Sequence, residues 1–114
     1  MTSYRHSPIW TRSGFERRFV EHLIGAGLPR PTTGWNEVGY ELDVCWPERR
    51  FAVELDTFKT HGNRASFESD RDRDLALALA GIETIRVSEL QFRREPDTIT
   101  GKVATLLARR PQSI

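Results

Sequence analysis

The chain has 114 residues, of which 38% are hydrophobic and 29% are charged, and its formal net charge is +1 at pH 7. Its size fits one domain, its apolar content is too high for a disordered chain, and its near-neutral charge argues against a polycationic nucleic-acid coat. No apolar run is long enough to span a membrane, and the N-terminus lacks the apolar core of a secretory signal. The only cysteine excludes an internal disulfide. We therefore expect a cytoplasmic protein without a membrane partner.

The first predicted element is a helix over residues 14–26. Its apolar residues recur at helical spacing and predict one buried face: Phe15, Phe19, Val20, Leu23 and Ile24. Ser13 and Glu16 have the spacing of an S-x-x-E capping box. Gly27, followed by two nearby prolines, is expected to end the helix. Residues 1–12 are expected to form a flexible polar lead-in.

Strict alternation of apolar and polar residues then predicts two strands. One side of the pattern is apolar: Tyr40, Leu42, Val44 and Trp46, then Phe51, Val53 and Leu55. The other side carries mostly acidic residues: Glu41, Asp43 and Cys45, then Ala52, Glu54 and Asp56. The short polar segment 47–50 between the two runs predicts a β-hairpin, and residues 35–38 form a candidate preceding strand.

The second half of the chain predicts a helix, a strand and a last helix. FESDRDRDLALALAG is typical of a helix that has Ser66 as its N-cap and ends at Gly81. Three of its apolar residues are expected to face the core: Phe67, Leu75 and Leu79. IETIRVS has the alternation of a short strand, and an apolar stripe predicts a helix over residues 97–108, before a flexible tail at 109–114. The order α-β-β-β-α-β-α indicates an α/β fold with a mixed sheet and flanking helices.

The acidic residues of the hairpin form the candidate site. A loop of two or four residues within 47–50 places Asp43 directly opposite Glu54, and Glu41 opposite Asp56. Opposed side chains in a sheet have Cβ atoms about 5 Å apart, a distance at which like charges destabilise the fold. A divalent cation is the simplest counter-charge, because carboxylates from two strands suit Mg²⁺ or Mn²⁺.

Two alternatives stay open from the pattern alone. The acids could instead form a solvated polar face that is neutralised by arginine side chains, the candidates being Arg49, Arg50 and Arg86. A loop of odd length would shift the pairing by one residue and separate Asp43 from Glu54.

The order of these motifs resembles the PD-(D/E)XK nuclease superfamily. The shared features are a helix with S-x-x-E, an aspartate on a strand and E-x-D on the next strand. The closer match is its very-short-patch-repair-like branch, in particular domain of unknown function 559, through ELD-x-x-x-x-H followed by D-x-x-R-D-x-x-L. The resemblance covers about residues 13–90. It implies a restriction-endonuclease-like αβββαβ core and a single endonuclease-like domain over residues 1–114.

The resemblance also implies a metal site. Asp43 and Glu54 would be the metal-binding carboxylates, with the backbone carbonyl of Leu55 as a third ligand and Mg²⁺ or Mn²⁺ as the cofactor. Glu16 matches the acid of the first helix that often completes such sites. The capping box explains Glu16 equally well, so both roles stay open.

Asp56 stands where the superfamily motif has lysine. A lysine there would orient and deprotonate the attacking water or stabilise developing charge. The natural substitute is His61, which could equally be an exposed loop histidine; Lys59 is a second substitute from the same loop. If neither reaches the site, Asp56 would bind a second metal, and if none of these roles holds, the domain is inactive.

Asp70, Arg73 and Asp74 are spaced to share one side of the second predicted helix. A set of exposed ion pairs would explain that spacing without any site. The resemblance instead implies that Asp70 and Arg73 support the site, with Arg73 contacting the scissile phosphate or holding Glu54 or Asp70. Arg86 is expected on the acidic face of the last strand, where it would serve the same purpose.

Together these features predict a metal-dependent endonuclease that hydrolyses phosphodiester bonds in DNA. The alternative is a non-catalytic module of the same fold that binds nucleic acid or a partner protein. The expected partner is DNA. The small size of the chain leaves target selection to a separate DNA-targeting protein or to a second copy in a homodimer.

Overall fold

The structure, a computed structural model, describes residues 12–57 and 64–111. The elements in chain order are α1 (Arg12–Gly25), β1 (Thr32–Glu37), β2 (Tyr40–Trp46), β3 (Phe51–Asp56), α2 (Arg64–Leu79), β4 (Glu83–Ser88), α3 (Glu89–Arg94) and α4 (Pro96–Arg109). The four strands form a mixed sheet in the order β1-β2-β3-β4, in which β3 and β4 are parallel and the other neighbours antiparallel. No helix in this described part is long and apolar enough to cross a membrane.

The loop between β2 and β3 determines the register of the hairpin. Pro47–Arg49 form one 3₁₀ turn, and Arg50 takes a left-handed backbone conformation with φ 54°. The four-residue loop pairs Trp46 with Phe51 and Val44 with Val53. The predicted even register is therefore confirmed for the part of the hairpin between Val44–Val53 and the loop.

One face of the sheet carries the larger core cluster. Val44, Trp46, Phe51, Val53 and Leu55 are buried there, as the alternation predicted. They pack against apolar side chains of the three helices on this face: Phe15, Phe19 and Leu23 of α1, Phe92 of α3, and Ile99, Val103 and Leu107 of α4. The helical spacing of these residues gives each helix its buried stripe.

A smaller cluster lies on the opposite face, where α2 covers the sheet. Cys45 and Ala52 are buried there with Leu77 of α2. Leu42 belongs to the same cluster, so its predicted place beside Val44 is wrong. The β2–β3 ladder ends at the pair Val44–Val53, and Leu42 lies before that point, opposite Trp35 of β1, which packs against this cluster.

The orientation of α2 differs from the prediction. Leu77 is fully buried, whereas Leu75 is 62% exposed and Leu79 is 81% exposed. The reason is that α2 turns Arg73 toward β3, and Leu77 follows it one helical turn later on the same side. The side of the helix that carries Leu75 and Leu79 therefore faces solvent.

Both predicted N-caps of the early helices are wrong, because α1 begins at Arg12 and α2 at Arg64. Ser13 and Ser66 thus lie inside the first turn of their helices. The sequence interpretation also missed α3, although Ser88 and Gln91 form a complete capping box at its start. Arg110, in the predicted tail, donates hydrogen bonds to the carbonyl oxygens of Arg49 and Gly81, each at 3.2 Å.

Candidate functional site

Asp43 and Glu54 lie on the adjacent strands β2 and β3, and each is only 7% exposed. The backbone amide of Leu55 donates a hydrogen bond to Oδ2 of Asp43 at 2.8 Å. Because the regular ladder ends at Val44–Val53, this side-chain bond links the two strands just beyond their last backbone pair. The site therefore begins where β2 and β3 separate, and the Asp43 carboxylate is held there by the backbone of β3.

Glu54 has a cation on one oxygen, and its other oxygen has no hydrogen-bond partner among the described residues. Arg73 of α2 places Nη2 at 2.7 Å from Oε1, while Oε2 is buried. Burial raises the pKa of Glu54 above its usual value, Arg73 opposes that rise, and the neighbouring Asp43 carboxylate adds to it. Two carboxylates can share a hydrogen bond only when one of them is protonated. When Asp43 and Glu54 are both ionised, their neighbouring oxygens therefore act only as acceptors.

Arg73 is held by more than Glu54. The same Nη2 atom donates to the carbonyl oxygen of Glu41 at 3.1 Å, and the guanidinium lies 5.7 Å from the centre of the Tyr40 ring. Of the roles considered for Arg73, holding Glu54 is the arrangement seen here. The contributions of Tyr40 and of the Glu41 carbonyl were missed, since an aromatic residue on a strand and a backbone oxygen carry no distinguishing sequence signal.

Arg86 of β4 lies beside the acid pair. It is the register partner of Glu54 across the parallel β3–β4 ladder, and its side chain is 40% exposed. It contacts Asp70 at 3.2 Å and Asp74 at 3.6 Å. Burial alone would lower the pKa of Arg86, but the hydrogen bond to Asp70 and the charges of Asp70, Asp56 and Asp74 raise it. A lasting positive charge therefore stands next to the site at the solvent boundary.

The remaining predicted site residues are placed less centrally. Asp56 is half-buried at the end of β3, opposite Ser88, and Glu16 lines a groove between α1 and the start of β1. Within residues 12–57 and 64–111, no group of three His, Cys, Asp or Glu side chains is arranged to hold a metal ion. The role of Glu16 as a metal ligand stays a prediction. Lys59 and His61 lie outside the described residues.

The two buried carboxylates match the ligand chemistry of the divalent cation that the sequence predicts. Mg²⁺ is usually bound through one or two carboxylates and keeps several waters until substrate phosphate joins, so two acids are a sufficient protein contribution. Oε2 of Glu54, buried beside Asp43 with no hydrogen-bond partner in residues 12–57 and 64–111, is the kind of atom that such a cation would satisfy. The two carboxylates therefore fit Mg²⁺ or Mn²⁺, and the carbonyl of Leu55, which the family resemblance implies as a third ligand, stays a prediction.

Comparison of the sequence with known proteins finds distant relatives of this chain. No protein-family model matches the chain. Two proteins of Mycobacterium tuberculosis, uncharacterized protein MT2308 of strain CDC 1551 / Oshkosh and uncharacterized protein Rv2248 of strain H37Rv, are each 28% identical over 99 residues. The match covers 82% of this chain and 36% of each relative, so the chain spans about a third of their length.

Among solved structures, the homing endonuclease I-Bth0305I catalytic domain superposes with a TM-score of 0.68. The match covers 83% of this chain and 94% of that domain, at 14% sequence identity. At that identity the likeness shows the fold alone. The chain therefore has the restriction-endonuclease-like fold predicted from its sequence, and it shares that fold with the catalytic domain of a homing endonuclease.

Proposed function

We propose that the chain is a metal-dependent endonuclease domain that hydrolyses phosphodiester bonds in DNA. The observation that carries the proposal is the pair of buried carboxylates, Asp43 and Glu54, at the point where β2 separates from β3. Burying two charged groups costs folding free energy, and buried, perturbed carboxylates of this kind are typical of functional sites. The likeness to an endonuclease catalytic domain supports the same class of reaction.

Each residue then has a defined task. Asp43 and Glu54 would hold one Mg²⁺ or Mn²⁺, and the Leu55 carbonyl would add a ligand. The bound ion would lower the pKa of a water and screen the phosphate charge. Arg73 fixes the rotamer of Glu54, and Arg86, which Asp70 and Asp74 orient, would face the phosphate. His61, or Lys59, would move the proton, with Asp56 orienting the metal shell.

The alternative function is a binding module without catalysis. The observation in its favour is Asp56, which occupies the motif position where the resembling superfamily has lysine. A chain that lacked both that lysine and a working substitute would still present Arg86 and the same sheet to DNA. The two functions therefore differ in cleavage and not in binding.

The test is cleavage of supercoiled plasmid and of short DNA duplexes in Mg²⁺, in Mn²⁺ and in EDTA. We expect cleavage only with a metal, and a loss of at least about 100-fold in Asp43→Asn and in Glu54→Gln, because outer-shell changes at metal sites already cost about 10–100-fold. Asp72→Asn, an exposed acid on α2, is the matched control and should cleave normally.

Equal cleavage by the wild type, Asp43→Asn and Glu54→Gln would remove the site assignment. DNA retention without cleavage in either metal would instead support the binding module. Cleavage in EDTA at the wild-type rate would exclude the metal-dependent mechanism.

A further inference from the structure

Arg73 is fixed from three sides. Its Nη2 atom lies 2.7 Å from Oε1 of Glu54 on β3 and 3.1 Å from the carbonyl oxygen of Glu41 on β2. Its guanidinium carbon lies 5.7 Å from the centre of the Tyr40 ring. The guanidinium is thus held against the two central strands, β2 and β3, and it is not a surface charge that happens to meet an acid.

The position of this cation gives it a strong electrostatic effect. The side chain of Glu54 is 10% exposed and that of Arg73 is 22% exposed, so solvent screens their attraction only in part. Asp43 adds a second buried carboxylate beside Glu54. The guanidinium therefore lies next to two neighbouring negative charges and contacts one of them directly.

We propose that Arg73 is the internal counter-cation of the Asp43–Glu54 pair and that a divalent cation competes with it for Glu54. The inference rests on the proposed function, because it assumes that the same pair binds a metal. Arg73 keeps the two acids together when no metal is present, and its charge weakens metal binding. The substrate phosphate then raises the affinity of the site for the metal, because it supplies negative charge and a further oxygen ligand.

The first measurement is thermal unfolding in EDTA. Removing one partner of a buried pair is strongly destabilising, so Arg73→Ala should lower the melting temperature by at least about 5 °C. Arg71→Ala, an exposed arginine on the same helix, is the matched control and should stay within about 2 °C of the wild type. In a Glu54→Gln background, the effect of Arg73→Ala should fall to less than about half, which shows that the two residues act on each other.

The second measurement is a calorimetric titration of the protein with Mn²⁺ alone at about pH 8. Removing a positive charge next to the metal ligands should tighten Mn²⁺ binding by at least about fivefold in Arg73→Ala. Mn²⁺ should also recover most of the lost melting temperature in this variant. Arg73→Gln keeps hydrogen-bond donors but removes the charge, so it replaces Arg73→Ala if that variant does not fold in EDTA.

The outcomes separate the two proposals. Equal or weaker Mn²⁺ binding by Arg73→Ala and Arg73→Gln, with binding lost in Asp43→Asn, overturns the role of Arg73 and leaves the metal site intact. Absence of Mn²⁺ binding in every protein, wild type and arginine variants alike, refutes the metal site and the competition together. Identical melting temperatures of Arg73→Ala and Arg71→Ala in EDTA refute the counter-cation role by themselves.

Discussion

The carboxylate of Asp43 accepts a hydrogen bond from the backbone amide of Leu55 at 2.8 Å, and this contact joins β2 to β3 beyond the end of their ladder. Asp43 therefore has two separable properties. Its oxygen satisfies a buried amide, which any acceptor of the same shape could do, and its charge is what a metal would require.

The first prediction separates those two properties. Asp43→Ala leaves the amide of Leu55 without an acceptor and should cost about 1–3 kcal/mol of unfolding free energy. Asp43→Asn keeps an acceptor, so in EDTA it should be more stable than Asp43→Ala and at least as stable as the wild type, because it removes the repulsion with Glu54. Urea unfolding measures all three proteins. Equal losses in both variants would mean that the charge itself stabilises the fold.

The second prediction concerns the orientation of α2. Leu77→Ala removes a fully buried side chain and should cost about 2–5 kcal/mol. Leu79→Ala, two residues away and 81% exposed, should change the unfolding free energy by less than about 0.5 kcal/mol. A large loss in Leu79→Ala would show that α2 is rotated, and would also separate Arg73 from Glu54.

The third prediction is a pH dependence that comes from the ion pair between Glu37 of β1 and Arg50 of the loop between β2 and β3. Glu37 accepts two hydrogen bonds from Arg50, at 2.8 and 3.2 Å, and a third from Trp35 at 3.0 Å. The Arg50 bond, and then that of Trp35, lower the pKa of Glu37 below its usual value. A carboxylate with a lowered folded pKa stabilises the fold above its unfolded pKa, and this contribution is lost as the pH falls through the folded value.

Glu37→Gln should therefore destabilise the protein by about 1–2 kcal/mol at neutral pH. The difference from the wild type should stay constant down to about pH 5 and shrink below it as Glu37 takes up a proton. Urea unfolding across this range gives the measurement. A difference that grows as the pH falls would contradict the assignment of the lowered pKa to the Arg50 pair.

The fourth prediction tests Arg86 on DNA. Its ion pairs with Asp70 and Asp74 are about half exposed, so Arg86→Ala should change stability by less than about 1 kcal/mol. If Arg86 faces phosphate, the variant should bind DNA of every sequence more weakly. The slope of log affinity against log salt concentration should become shallower by about one, which corresponds to one lost phosphate contact. Arg109→Ala, at the exposed end of α4, is the control with the slope of the wild type.

Most of the fold can be predicted from three sequence features: the alternation along the strands, the helical spacing of apolar residues and the length of the hairpin loop. The two runs on either side of 47–50 have a period of two, and an even loop gives the register that pairs Val44 with Val53. The mixed sheet and its flanking helices follow from the order of elements. Periodicity failed for α2, because a helix that turns Arg73 inward cannot also bury Leu75 and Leu79.

The candidate site shows the same division. From the sequence alone, Asp43 and Glu54 were predicted to lie together, because side-chain direction along a strand has a strict period. Only the tertiary structure decided that Asp43 accepts a hydrogen bond from the amide of Leu55, and that Arg73 contacts one oxygen of Glu54 while the other has no partner in the described part of the chain. The first contact depends on where β2 and β3 separate, and the second depends on how α2 packs on the sheet, so neither follows from a local pattern.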